Sequence, residues 1–216
     1  MPDIGLFVVD LVSPGVERAE RFDALGMRGS ASGRLSLNGV HVPRERLVVL
    51  RRPRGPDPRG SAPAAWFAAA IGAVYLGIGE GARRAVTDWA VERRPGDGSV
   101  AVADLPTVAL RLGRLDAALR VARIVLEDVA RRWDAASTAD RPALMGDLIL
   151  AKVTATDAAV LATDEALRIA GGPGFMSGRL ERAQRDARAG LINPPLVDLA
   201  LQGFARNLVD QAREGR

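Results

Sequence analysis

Gly171-Gly172-Pro173-Gly174 is a stretch of backbone with almost no side chain on it, and Arg182, Arg185, Asp186 and Arg188 follow closely. Bare backbone of this kind lets a pyrophosphate approach peptide N–H groups directly. Glycine pairs also end helices, and this run follows no strand, so it is not the strand–turn–helix fingerprint of a dinucleotide fold. Arg182 and Asp186 stand four apart, the spacing of an ion pair along a helix. His41 is the single histidine and cysteine is absent, which leaves no metal set, no disulfide and no thiol chemistry. No serine lies on a nucleophile elbow, so a Ser-His-Asp site is unsupported as well. Arg51-Arg52-Pro53-Arg54, with Arg59, could touch phosphate. No aromatic residue interleaves with these arginines, and the Pro-rich context reads as a solvated linker, so nucleic acid is not an expected partner.

The elements that must position these residues change character near residue 60. Up to that point the chain is short β-like runs and turns. Ile4 to Val9 reads as a strand. Arg34 to Leu37 and Val40 to Val42 alternate polar and apolar around Asn38-Gly39, which predicts a hairpin with a two-residue turn and places His41 in its second strand. Pro53 to Pro58 reads as a linker. These boundaries give a partial β-domain over 1–58 and a helical domain over 59–216.

Past the linker the period becomes helical. Ser61 and Pro63 start a helix whose stripe is Trp66, Ile71, Val74, Tyr75, Ile78, Ala82, Val86 and Trp89, ending near Arg94-Pro95-Gly96. Asp104 as cap and Pro106 start a second, with a seam of Val108, Leu112, Leu115, Leu119, Ala122, Leu126, Val129 and Trp133. A third starts at Asp140 and Pro142, with Leu144, Leu148, Ala151, Ala155, Ala158 and Ala162 along one face, and Gly171-Gly172 stops it. Short helices over 179–188 and 196–209 follow. Helices of about 30 residues span about 45 Å each, and short connections between them favour an up-and-down four-helix bundle. The fold class expected is mainly α, with a β-hairpin-rich fragment at the N-terminus. Of 216 residues, 48% are hydrophobic and 26% charged, at a net charge of +4, which excludes a disordered chain. Ala62 to Ile78 is apolar but short and Gly-studded, and suits a buried helix better than a membrane span. With no cysteine and no basic, apolar leader, a cytoplasmic protein is expected.

The order of motifs resembles the C-terminal half of an acyl-CoA dehydrogenase. Leu25-Gly26-Met27-Arg28-Gly29-Ser30, the Asn38-Gly39 turn and Val42-Pro43 match the end of that family's middle β-domain. Glu92-Arg93-Arg94-Pro95-Gly96 matches the ERxxFG motif that closes the first long helix, without its Phe. Gly171 to Phe175 matches the GGxGF turn, and Leu180-Glu181-Arg182 with Arg185 to Arg188 matches LERxxRDAR. The resemblance implies FAD as cofactor, with Arg93, Gly171, Gly172 and Gly174 binding the FAD of the neighbouring subunit. It also implies a homodimer or homotetramer, and acyl-CoA or a related small molecule as substrate. Pro106 and Arg168 stand where the family has Gln.

The family's catalytic carboxylate lies either just after RDAR or early in the first long helix. The corresponding residues are Pro194 and Phe67, and neither is acidic. The Leu191-Ile192-Asn193-Pro194-Pro195 segment resembles a divergent branch that includes flavin monooxygenase-like members, often with His where Asn193 stands. The resemblance therefore implies an FAD-linked oxidoreductase acting on CH–CH bonds, truncated and weak or inactive alone. A flavin monooxygenase of the same fold is one alternative; a non-catalytic remnant or assembly subunit, completed by a second polypeptide, is another. An apolar face exposed along the first and third helices is expected to drive the assembly.

Overall fold

A computed structural model of the chain describes residues 4–18, 22–51 and 62–215. The chain divides into two compact units, Met1–Ser61 and Ala62–Arg216. The first contains two short antiparallel pairs. β1 (Ile4–Phe7) pairs with β4 (Leu47–Arg51), and β2 (Val16–Arg18) pairs with β3 (Leu35–Leu37). The hairpin expected around Asn38-Gly39 is not formed. Gly39 does take a positive φ of 63°, but the edge of β3 is filled from earlier in the chain, with Val16 opposite Leu37. Asn38 donates its N–H to the Gly15 carbonyl at 2.8 Å. Residues 40–43 are left outside any strand, and His41 is an exposed coil residue. Between β2 and β3, Arg28–Ser30 forms one 3-10 turn between two residues of positive φ, Met27 at 54° and Ala31 at 48°. Left-handed backbone costs a non-glycine residue about 1–2 kcal/mol. Arg28 Nε steadies this turn by donating to the Ala24 carbonyl at 2.7 Å. The linker expected over 53–58, the arginine run beyond Arg51 and the Ser61 cap lie outside the described residues.

The second unit is a bundle. Its helices are α1 (Ala62–Glu92), α2 (Pro106–Ala135), α3 (Met145–Ala170), the single turn α4 (Gly172–Phe175), α5 (Arg179–Ile192) and α6 (Val197–Glu214). Side-chain pairs fix the directions. Arg83 with Asp116 and Arg123 with Glu80 run α2 against α1, while Arg111 with Glu165 and Arg132 with Asp147 run α3 against α2. Arg188 with Asp164, and Lys152 with the Gly190 carbonyl, run α5 against α3. The order is up, down, up, down. α1 and α3 are therefore parallel, and they touch. A Cβ on Gly79 would stand 3.1 Å from the Ala159 Cα, and one on Gly72 would stand 3.4 Å from the Lys152 Cα. α2 closes one side of this pair and α5 the other.

Of the predicted α1 stripe, Tyr75, Ala82 and Val86 are buried, and Ile71, Ile78 and Trp89 pack partly buried against the core; Ala65, Ala68, Leu76 and Ala90 complete the buried face. The bulky Trp66 is 67% exposed, and Val74 is exposed too. By length and composition α1 could cross a membrane, since Pro63–Glu92 holds an 18-residue window of mean hydropathy 1.3, but in this fold it packs against α2, α3 and α5, with 33% of that window buried. The α2 seam is buried as its spacing predicts, and Leu112 and Leu126 pack partly buried against the core. Asp104 does not cap α2. It lies in a 3-10 turn, and the N-cap is Leu105, with no side-chain cap bond. The expected exposed apolar side chains are present on the first helix, at Trp66, Phe67, Val74 and Val91, but α3 is buried on most of its circumference and exposes Leu150. Others sit on α2 (Leu110, Val121, Ile124) and α6 (Leu199, Leu201, Leu208).

The buried charge that ties α2 to α3 sets a pH limit on the fold. Glu165 accepts from Arg111 at 2.5 Å and from Arg114 at 3.3 Å. Burial pushes its carboxyl up, but the two guanidinium groups outweigh it and hold the carboxyl below its ordinary value of 4.5. A depressed carboxylate contributes stability above its unfolded value and loses it as pH falls through the folded one. Glu165→Gln is expected to cost about 1.5–3 kcal/mol at neutral pH, the value of hydrogen bonds to a charged group. The gap to wild type should close as pH falls below 4.5. Urea unfolding of both proteins across that range checks it, and a gap independent of pH would remove Glu165 from the account.

Candidate functional site

The Gly171 turn is built by the end of α3. Gly171 takes φ 60°, ψ −141°, and its N–H still closes the helix on the Leu167 carbonyl at 2.8 Å. A Cβ at Gly171 or Gly172 would meet nothing within 4 Å, so the backbone face there is open. Gly174 differs: it is buried, and a Cβ would stand 2.7 Å from the Ala170 Cβ, so glycine is needed for packing. Because α1 and α3 are parallel, the C-terminal turns of both reach the same end of the bundle. A cleft of about 400 Å³ runs between them, lined by Asp88, Trp89, Glu92, Pro173, Gly174 and Leu180. Arg93 follows directly on α1, anchored by its N–H to the Trp89 carbonyl and its carbonyl to the Val102 N–H. The Arg93 side chain is exposed, and Arg168 is exposed in the last turn of α3. Neither guanidinium has a protein partner among the described residues. The structure thus brings the glycine turn and the end of α1 together, while Arg93 stands beside the cleft and does not line it.

The Arg-rich helix is wired differently from its spacing. Arg185 pairs with Glu181 at 2.8 Å and Arg188 with Asp164 at 2.6 Å, so both are structural. Arg182 is exposed and makes no ion pair among the described residues; the expected Arg182–Asp186 pair is not formed. Glu181 Oε1 instead accepts from the Gly178 N–H at 3.1 Å, satisfying a free donor at the start of α5.

Phe67 is 48% exposed on α1, and Pro194 is exposed in the turn between α5 and α6. Asn193 is half-buried in that turn, and its Nδ2 donates to the Tyr75 hydroxyl at 2.6 Å. Tyr75 is fully buried, and burial raises its phenol above 10.0, against the Asn193 hydrogen bond that favours the phenolate. Beneath it Lys152, also fully buried, donates to the carbonyls of Gly190, Asn193 and Pro195 at 2.8, 2.9 and 2.9 Å. The Pro194–Pro195 bond is cis. Thr156 Oγ1, one turn along α3, is buried without a hydrogen-bond partner. The residue spacing did not single out this polar cluster, though the signal was present: Lys152 is the one lysine in an Arg-rich chain, set among Ala and Val. Glu80 is paired with Arg123 on α2, and Asp198 is exposed in the first turn of α6. Among the described residues no group of three His, Cys, Asp or Glu could hold a metal ion.

The sequence profile of the acyl-CoA dehydrogenase C-terminal domain matches residues 69–192, which is more than half of the chain. The chain belongs to the acyl-CoA dehydrogenase family. YdbM of Bacillus subtilis (strain 168), named as a candidate acyl-CoA dehydrogenase, is 34% identical over 202 residues, covering 93% of this chain and 51% of its own. The amino sugar nitrososynthase DnmZ of Streptomyces peucetius is 29% identical, covering 85% of this chain and 45% of its own. Dibenzothiophene monooxygenase (TdsC) from Paenibacillus sp. A11-2 shares the fold at a TM-score of 0.78 and 22% identity, over 95% of this chain and 56% of its own. The chain spans about half the length of the relatives it matches.

Family membership turns the end of α1 and α3 into a place to test against a nucleotide cofactor. The residues fit one. The Gly171–Gly172 backbone is open to close approach, and two unpaired guanidinium groups, Arg93 and Arg168, stand at the same end. A diphosphate needs both of these features. An arginine at a helix C-terminus also complements the helix dipole, which explains Arg168 without a ligand but not the bare glycine surface next to it.

Proposed function

We propose that this chain is part of a flavin-dependent oxidoreductase that binds FAD through its ADP half, with Arg93 and the Gly171-Gly172-Pro173-Gly174 turn as its contacts. The observation that carries this reading is the open glycine backbone beside cations that no carboxylate neutralises. FAD, when bound, supplies two-electron redox chemistry on a CH–CH bond of an acyl-CoA or a related small molecule. This chain's own part is to hold the diphosphate, and to do so for the cofactor of a neighbouring copy in a homodimer or homotetramer. The exposed apolar side chains on α2 and α6 support that assembly. A second polypeptide seated on the first unit, whose Leu6, Phe7, Leu35 and Leu37 are exposed, is the other way to cover its apolar strands.

Arg93→Ala should weaken FAD binding by removing a charge-assisted contact to phosphate, worth about 1.5–3 kcal/mol. Fluorescence titration of wild type and variant measures it, alongside light scattering at micromolar concentration. Equal affinities would take Arg93 out of the site, and a clean monomer that binds FAD would end the shared-site reading. A chain that binds no flavin would favour a non-catalytic assembly subunit.

A flavin monooxygenase is the second reading, and one observation favours it. Asn193-Pro194-Pro195 offers an amide and no carboxylate where dehydrogenation needs a base.

A further inference from the structure

We propose that Lys152 is the positioning residue of the turn between α5 and α6: its buried ammonium fastens residues 190–195 to α3 and so holds Asn193 against Tyr75. The proposal rests on the flavoenzyme reading only in that Asn193 belongs to the turn that carries the monooxygenase alternative, and its test needs neither flavin nor substrate. An ammonium has three protons and no acceptor. Lys152 Nζ meets three carbonyls, of Gly190, Asn193 and Pro195, at 2.8–2.9 Å. Every donor is used, and each bond reaches a different point of the turn. The last carbonyls of a helix have no partner within it and carry the negative end of its dipole. Burial pulls the Lys152 ammonium below its ordinary value, with the Asp157 carboxylate acting against it, and the three carbonyls are what the charged form gains at this helix end. Glycine at 190 makes the reach possible, because a Cβ would stand 2.7 Å from the Thr156 Cγ2 and 3.0 Å from the Tyr75 Cδ1. The α5 backbone therefore comes down onto α1 and α3 at that one residue. Asn193 is held twice, by its carbonyl on Lys152 and by its side-chain amide on Tyr75. Its N–H closes the helix end on the Ala189 carbonyl at 2.9 Å.

Selective labelling makes the test clean. The chain has three asparagines, and Asn38 and Asn207 are exposed while Asn193 is not. In ¹⁵N-asparagine-labelled wild type at neutral pH, the Asn193 side-chain amide should exchange with solvent more slowly than the other two. Lys152→Met should speed exchange of both the side-chain and the backbone amide of Asn193 by about ten-fold or more, the change that roughly 1.4 kcal/mol of lost closure produces. Uniformly labelled samples should show the α2 amides of the same variant still protected. Tyr75→Phe should speed the side-chain amide alone. Unchanged Asn193 protection in Lys152→Met, with the fold intact, overturns the proposal. If that variant does not fold, ¹⁵N-lysine labelling of wild type decides, because Lys152 is the one lysine. Slowly exchanging Nζ protons support the fastening, and exchange at the rate of a free lysine side chain refutes it. Failure to bind FAD would sink the flavin reading and leave these outcomes untouched.

Discussion

Leu119→Ala is expected to cost about 2–5 kcal/mol of unfolding free energy, toward the upper end of the range for buried large-to-small changes. Leu119 is 1% exposed, and its Cδ2 fills the space in front of Gly79, 2.6 Å from where a Cβ on that residue would stand. The cost of such a change depends on whether the surroundings can collapse into the hole. Here they cannot. α1 and α3 already touch through Gly79 and Ala159, and Gly79 has no side chain to swing inward. Gly79→Ala is the informative partner. In wild type it gains about 1 kcal/mol of helix propensity and loses it again by meeting the Leu119 methyl and the Ala159 backbone. In the Leu119→Ala background the 2.6 Å clash with the Leu119 methyl is gone and only the 3.1 Å approach to the Ala159 Cα remains, so the pair should be non-additive in the stabilising direction. Urea denaturation of the four proteins measures the cycle. A Leu119→Ala change under about 0.5 kcal/mol, the scale of surface substitutions, would mean that α2 packs on another face.

The same contact shows what was legible in the sequence. α2 could be read because its buried residues are large, and their steps of three and four stand out from the charged residues between them. α1 could be read as a helix and, for most of its stripe, as a face: Tyr75, Ala82 and Val86 are buried and Ile71, Ile78 and Trp89 pack against the core. The stripe errs at Trp66 and Val74, which are exposed, and it passes over Gly72 and Gly79, where α1 lies backbone to backbone on α3. In the first unit the Ile4 strand was legible and forms β1, while the hairpin around Asn38-Gly39 failed. The Asn38-Gly39 signal is local and correct about the backbone, since Gly39 does take positive φ. The strand that pairs with β3, however, comes from Val16–Arg18, and no local pattern encodes a partner at that separation. The candidate site divides the same way. The glycine turn and Arg93 are conspicuous in sequence because bare backbone and free cations have recognisable residue types. Lys152, Tyr75 and Asn193 are brought together from three elements, and only the fold shows that they touch.

FAD-loaded protein mixed anaerobically with acyl-CoA thioesters is expected to keep its flavin colour. Removing the α-proton of a thioester needs a general base within hydrogen-bond reach of that carbon's proton, and a positioned base contributes about 10²–10⁴-fold in rate. Pro194 has no basic group, and Phe67 is apolar. Asn193 cannot take a proton as a base at neutral pH, and its amide nitrogen is already donating to Tyr75. Tyr75 is no substitute, because burial raises its phenol above 10.0 and leaves it neutral. Glu80 is turned away from this turn and paired with Arg123. Asp198 sits in the first turn of α6, exposed to water. The measurement is flavin absorbance after mixing with short-, medium- and branched-chain thioesters, with product analysis for the enoyl form. Rapid bleaching by any of them, with enoyl-CoA formed, would defeat the expectation and make Glu80→Gln and Asp198→Asn the next variants to examine. Retained colour with thioesters, followed by oxygen consumption once the flavin is reduced by another donor, is the result that the Asn193-Pro194-Pro195 turn leads us to expect.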